Sequence, residues 1–335
     1  MLDINFSLPY WLSVYFHIIG SISLIADIFS IYLILFKSEK IDNFRYFLLN
    51  FRISCILTDF HLTFLIQPVP FYPILAGSIM GFGIRLGATL HFGITGFAFL
   101  LTYQIGSMII CFVRKHQTIA KTLQQYRIPR WGLILMMTYF LTFTMGVTGF
   151  LSVLSVPEDL KFDFVEMNYP DLLPQFQKLP NFSIYEFSSK FLALIIFSIL
   201  GGFLSFTVFI LVLVNILRML TILKLKISSS NYQKHRAAIR SLSAQFVTSA
   251  VIFVPPIVCV VVIMVGLNGS QLIVEVFLMV ACLHSTLNVI VLIVTCPPYR
   301  RFLIQLVQRK NSPKSKGARS VLVRNSAIAI SNFNK

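Results

Sequence analysis

Phe191 to Ile216 reads FLALIIFSILGGFLSFTVFILVLVNI, without one charged side chain, and the basic residues Arg218, Lys224 and Lys226 follow close behind it. An α-helix rises about 1.5 Å per residue and bilayer hydrocarbon is about 30 Å thick, so about 20 apolar residues make a crossing. This run is long enough on its own. Six further stretches share its character: Trp11 to Phe36, Phe44 to Ile66, Leu86 to Phe112, Trp131 to Leu154, Leu242 to Val265 and Leu272 to Thr295. A mean hydropathy of +0.81 and 12% charged residues over 335 positions exclude an ordinary water-soluble domain. The runs are continuous rather than alternating, which favours helices over a barrel. The expectation is an all-α bundle of seven transmembrane helices.

Charge placement gives that bundle an orientation. The formal charge of +16 invites a nucleic-acid reading, but the cations are sorted by connection rather than gathered on a soluble face. Of the 28 basic residues, all but Arg52, Arg85, Lys161, Lys178 and Lys190 fall in the tail or in alternate connections between spans. Excess Lys and Arg mark the cytosolic side, so the amino terminus is expected outside and the tail inside. No nucleic-acid partner is expected. Met1 to Tyr10 carries Asp3 and no cation, and the apolar run behind it exceeds a signal peptide's core, as in an uncleaved signal anchor. Asn5, Asn181 and Asn268 each begin an N-x-Ser sequon on the face this rule calls external, which makes them glycosylation candidates.

Ionisable residues are rare within the spans, and lipid would penalise each of them. Asp27, Asp59 and Glu275 should therefore face the bundle interior or water. Asp59 with Asn288 or His284 reads either as a polar cluster that rearranges on activation or as a fixed hydrogen-bond network. Arg52 lies low enough in the second span to snorkel toward the cytosol. His17, His61 and His91 fall toward the outer halves of three helices, and with Phe92 and Tyr72 they read as pocket lining or as ordinary packing. Their spacing matches no metal motif, and Cys55, Cys111, Cys259, Cys282 and Cys296 all lie in or at the ends of spans, so neither a metal, a cofactor nor an external disulfide is expected.

Proline and loop chemistry add three features. Pro255 and Pro256 each remove an intrahelical donor, so a kink is expected in the sixth span, either static or acting as a lever. The connection Gln67 to Gly83 carries Pro68, Pro70 and Pro73, which stop a helix. The longest external connection, Ser155 to Lys190, is rich in proline and acids and reads as a lid over a pocket or as a solvated loop. Beyond the last span, Phe302, Leu303, Leu306 and Val307 recur at helical spacing beside Arg300, Arg301, Arg309 and Lys310, as in a short helix held on the inner surface by anionic lipid. The division expected is residues 1–10 external, 11–295 spanning, 296–310 a surface helix and 311–335 a disordered basic tail. No nucleophile–base arrangement or phosphate loop suggests an enzyme.

Several runs resemble one family. DFHLTFLIQPVPFYPILAG, Asp59 to Gly77, is similar to the second helix and first external loop of nematode serpentine chemoreceptors. FVRKHQ, Phe112 to Gln117, resembles the end of their third helix. SLSAQF, Ser241 to Phe246, leading to Pro255 and Pro256, resembles their sixth, and Pro298, Tyr299 and Arg300 the close of their seventh. The likeness covers nearly the whole chain and points to the Str superfamily, most like class I (Sri) and next class H (Srh). It implies a G-protein-coupled receptor for odorants or other small environmental molecules in a sensory-neuron or ciliary membrane. In that reading a small-molecule ligand meets the outer half, where His17, His61, His91, Glu275 and His284 are the pocket candidates. A heterotrimeric G protein meets the inner face, where Arg114, Lys115, Arg236, Arg240, Tyr299 and Arg300 are the candidates.

Two other classes fit seven spans. A transporter is disfavoured because no repeat of the spans and no paired broken helices are evident. A ligand-gated channel of the insect chemosensory type places its amino terminus inside. An epitope tag on the amino terminus should therefore bind antibody on intact cells, and one on the carboxy terminus only after permeabilisation; a cytosolic amino terminus would remove the receptor reading.

Overall fold

The structure, a computed structural model, describes residues 4–37, 44–179, 181–265 and 270–311. Seven of its helices are long and apolar enough to cross a membrane: Tyr10–Lys37, Phe44–Ile66, Leu90–Leu123, Arg130–Ser152, Ser189–Lys226, Ser229–Val262 and Ser270–Thr295. They are called the first to seventh helices below. Asn268 and the basic tail from residue 312 lie outside the described residues.

The third helix packs against the second, fourth and fifth and forms the post of the bundle. Lipid tails are as apolar as leucine, so close packing rather than escape from water holds these helices together. Small residues bring the second and third helices near: a Cβ on Gly93 would stand 2.7 Å from the Ile66 side chain, and one on Gly96 2.9 Å from the His61 ring. The main core lies in the half of the bundle that carries most of the cations, around Phe51, Phe112, Ile216, Leu242 and Leu292. There Phe209 stacks on Phe246 with ring centroids 3.7 Å apart, and Phe112 meets Phe209 edge-on at 4.9 Å.

Three helices run further than the hydropathy suggests: the third continues past Phe112 to Leu123, and the fifth and sixth extend at their basic ends. The fifth has 38 residues, about 57 Å at the usual rise, and Ile227 and Ser228 alone separate it from the sixth. Ser228 caps the sixth, its hydroxyl accepting the Asn231 N–H at 3.5 Å. Apolar residues mark where hydrocarbon ends, whereas Lys and Arg propagate a helix well in water. The stretch between the expected spans, including Lys224, Lys226, Lys234, Arg236 and Arg240, is therefore largely helical rather than a loop.

Two other helices are interrupted. In the sixth, Ala250–Phe253 tightens into a 3₁₀ turn just before Pro255 and Pro256. Proline there supplies no N–H to the preceding turn and crowds its carbonyl, so the regular ladder cannot continue. The seventh breaks at Leu283, between Ser270–Cys282 and His284–Thr295.

At the opposite end from the main core, the connections fold into a cap. Strands β1 (Pro68–Pro70), β2 (Ala76–Ile79) and β3 (Ser183–Ile184) form an antiparallel sheet in that order, with Val69 opposite Ser78 and Gly77 opposite Ser183. Short helices Lys161–Asn168 and Leu173–Phe176 complete it. Phe71, Ile74, Val165, Phe176, Phe182 and Ile184 bury one another in its core. Phe6 stacks on Phe71 at 5.1 Å and meets Phe176 edge-on at 5.0 Å. The amino-terminal segment is sewn to the seventh helix as well: the Asn5 N–H donates to Gln271 Oε1 at 3.0 Å, and Gln271 Nε2 donates to the Asn5 carbonyl at 2.9 Å. Ser155 to Lys190 is therefore not a bare solvated loop but a folded segment with a buried core. Its aromatic residues are scattered in the chain and become a core only against Phe71.

Phe182→Ala should remove about 3 kcal/mol of this packing. The expected result is faster proteolysis between Ser155 and Lys190 with unchanged helical circular dichroism.

Candidate functional site

A guanidinium and a carboxylate meet near the middle of the bundle, away from water. Arg52 and Asp27 form an ion pair in which the two side chains are 0% and 1% exposed. The Ser285 hydroxyl stands 2.8 Å from both Asp27 oxygens, Arg52 Nε donates to Ser30 Oγ at 3.2 Å, and Ser30 Oγ donates to the Asp27 carbonyl at 2.8 Å. One polar knot thus joins the first, second and seventh helices. The expected snorkelling of Arg52 does not occur: a counter-charge on the neighbouring helix answers the guanidinium within the bundle.

Asp59 lies two turns along the second helix from Arg52, beside the Ser23 hydroxyl, and its Oδ1 has no hydrogen-bond partner. It shares with Asp27 a narrow crevice between the first and second helices, lined also by Gly20, Leu24, Ile56, Phe60 and Phe64. His284 is fully buried. Its Nδ1 stands 3.0 Å from the Ala281 carbonyl, which only accepts, so Nδ1 carries the proton and answers a carbonyl at the break in the seventh helix. Asn288 belongs to a different network: its Oδ1 accepts from Thr248 and its Nδ2 donates to Ser249 Oγ at 2.8 Å. That ties the seventh helix to the sixth beside its 3₁₀ turn. Closer to the basic end, Thr295 Oγ1 donates to Ser241 Oγ at 2.7 Å.

A second polar string crosses the capped mouth. His91 Nε2 lies 3.2 Å from the Ser152 carbonyl and donates to it, and Nδ1 lies 3.2 Å from the Tyr185 hydroxyl. The Tyr185 N–H donates to the Leu75 carbonyl at 2.8 Å. Between β1 and β2, at the tip of the hairpin, Tyr72 places its hydroxyl beside the Cys259 thiol of the sixth helix and near Tyr185. The string therefore runs from the third helix through both external connections to the sixth. Burial pushes the Tyr72 hydroxyl well above the ordinary phenol range and raises Tyr185 too.

The remaining pocket candidates are held separately. His17 is exposed on the first helix, with Nε2 3.3 Å from Gln67 Nε2. His61 Nε2 donates to the Gly93 carbonyl at 2.8 Å and fastens the second helix to the third. Glu275 accepts from Gln271 Nε2 at 3.3 Å, on the amino-terminal side of the mouth. Phe92 is exposed. Sequence reading passed over Tyr185, Gln67, Gln271 and Ser285. Nothing local marks them, since Ser285 and Asp27 are 258 positions apart. Of the sequons, Asn5 is exposed, while Asn181 is half-buried and followed by Phe182 and Ser183, both buried in the cap.

The other end of the bundle presents cations. Arg114 is exposed at the end of the third helix, 5.3 Å over the Phe47 ring, and Lys115 is buried against Phe44 at 5.2 Å. Arg236 and Arg240 are exposed on the extension of the sixth helix, and Arg300 near the start of the helix Pro297–Asn311. Tyr299 is 4% exposed and packs into the main core. Lys37 sits 4.4 Å over the Phe302 ring, which pins that last helix to the end of the first.

The fold is a seven-helix bundle: over 89% of this chain and 86% of the other, it is similar to the crystal structure of squid rhodopsin, with a TM-score of 0.55 at 14% sequence identity. No curated protein matches it in sequence. The model of the serpentine-type seven-transmembrane GPCR chemoreceptors, class Sri, matches residues 2–303, and the chain belongs to that family. It is a multi-pass membrane protein and a chemosensory receptor of the GPCR type.

Arg52→Met or Asp27→Asn leaves half of a buried pair uncompensated and should cost about 3–5 kcal/mol. The double variant Asp27→Leu with Arg52→Met should cost less than either single change. Thermal melting of the detergent-solubilised receptor measures both.

Proposed function

We propose that the capped end faces the outside and the basic end the cytosol, and that the receptor carries the arrival of a small environmental molecule to a heterotrimeric G protein. The observation that carries this reading is the division of the bundle. One mouth is closed by a folded cap with a polar string beneath it. The other opens onto exposed Arg114, Arg236, Arg240 and Arg300. Such a rim suits an acidic protein surface and the anionic inner leaflet of the membrane. The seam of Asn288, Thr248 and Ser249 beside the 3₁₀ turn supplies the moving part. Repacking around a ligand in the outer half would swing the inner half of the sixth helix on that turn. Asp59, in the crevice between the first and second helices, and Asn288, between the seventh and sixth, then act separately, and Pro255 and Pro256 set the hinge. The helix Pro297–Asn311 lies on lipid, and the sequons put Asn5 and Asn181 on the glycosylated side. Membership of the chemoreceptor family supports a sensory-neuron membrane as the place of action.

The test is expression with a second-messenger reporter and a screen of volatile and water-soluble chemicals. Arg114→Ala and Arg240→Ala should each lower the response to an active compound about tenfold at unchanged surface expression, in line with loss of a charged contact worth about 1.4 kcal/mol. Unaltered responses in both would refute the roles assigned to the basic rim.

A further inference from the structure

His116 is 1% exposed, and neither of its ring nitrogens has a hydrogen-bond partner among the described residues. It stands one turn beyond Phe112, where the third helix has left its apolar run. Phe112, Ile119 and Leu123 share its face of the helix, and all three are buried in the main core. On that face Phe112 meets Phe209 of the fifth helix and Phe246 of the sixth, with ring centroids 4.9 and 6.4 Å apart. Leu223 and Ile239 extend the same core inward along those two helices. The imidazole therefore lies where the inner ends of the third, fifth and sixth helices close on one another. A neutral imidazole carries one donor and one acceptor, and leaving both unpaired away from water costs free energy that an aliphatic side chain would not.

The charges around this junction are of one sign. The third helix carries Arg114, Lys115 and Lys121 at this end, the second Arg45 and the fourth Arg130. The fifth adds Arg218, Lys224 and Lys226, and the sixth Lys234, Arg236 and Arg240. The other titratable groups on these elements and at the close of the seventh are Cys111, Tyr46, Tyr126, Tyr232, His235, Cys296 and Tyr299. Among the described residues none of the helices ends in a carboxylate here; Asp27 and Asp59 lie at the middle of the bundle, and Glu39 and Asp42 lie outside the described residues. A proton on His116 would thus create a buried cation facing cations, with neither water nor a counter-charge to stabilise it.

We propose that His116 makes this receptor responsive to the acidity of the cytosol: a proton taken from cytosolic water onto its ring separates the inner ends of the fifth and sixth helices from the third. This rests on the receptor reading above, which puts the basic end in the cytosol. The closed junction excludes the imidazolium and the open one hydrates it, so the proton binds the open state better. Acid then favours opening by up to about tenfold per pH unit, and opening in turn draws in a proton. The sixth helix can yield at this end because its 3₁₀ turn, Ala250–Phe253, lies on the outer side of the Phe246 ring.

Spin labels on Thr122→Cys of the third helix and Gln233→Cys of the sixth, both exposed positions, read the inner distance in the full-length receptor held in lipid nanodiscs, with Cys259 and Cys296 replaced by serine. Lowering the pH from about 8 to about 5, the interval over which imidazole charges, should lengthen that distance by about 5 Å, the scale of one helical turn. His116→Phe and His116→Gln, which take up no proton, should keep the short distance throughout, and His116→Lys the long one. His235→Gln should respond as the parent does. An unchanged distance in the parent, or the same lengthening in His116→Phe, would overturn the proposal. A distance that responds as expected, in a receptor whose second-messenger output ignores cytosolic acidification, would instead count against the receptor reading.

Discussion

The pairing of Arg52 with Asp27 in the dry centre of the bundle is the constraint on which the arrangement of the first, second and seventh helices depends. Neither charge is stable there alone, because the interior cannot replace the water each has lost. Ser285 and Ser30 take up further hydrogen-bonding capacity of the pair, so its geometry is fixed on three helices at once. Apolar packing alone would let those helices slide or rotate in lipid. The ion pair sets their register.

From that fixed side the molecule grows looser toward the sixth helix. The third helix is held to the second by His61 and closely approached glycines, and to the fifth by Phe112 and Phe209. The sixth is tied at its inner half by aromatic stacking and by hydrogen bonds to the seventh. Its outer half leans mainly on the seventh, and a 3₁₀ turn forced by two prolines separates the halves. The outer half of the sixth helix is therefore held by fewer neighbours than its inner half. The polar string from His91 to Cys259 reaches across the mouth to it.

Much of this was legible in the chain. Span length, the placement of cations and the two prolines of the sixth helix are local properties, and the seven helices follow from them. The position of each candidate side chain was less so. His17, His61 and His91 share a depth, yet they find three different partners, because the helices are apolar all round and periodicity does not say which faces converge. Arg52 looked free to reach the cytosol because its counter-charge belongs to another helix. The inner ends of the fifth and sixth helices looked like a loop because hydropathy reports the edge of the hydrocarbon and not the end of the backbone ladder.

The amino-acid sequence by itself determined that this is a bundle of seven membrane-spanning helices with its cations gathered at one end, since each of those features depends on runs of neighbouring residues. Tertiary structure alone decided that the long connection folds around a core of its own, that Asp27 answers Arg52, and that Tyr72 reaches Cys259. Those contacts join residues far apart in the chain, and only the packing of helices against one another brings them within range of a hydrogen bond.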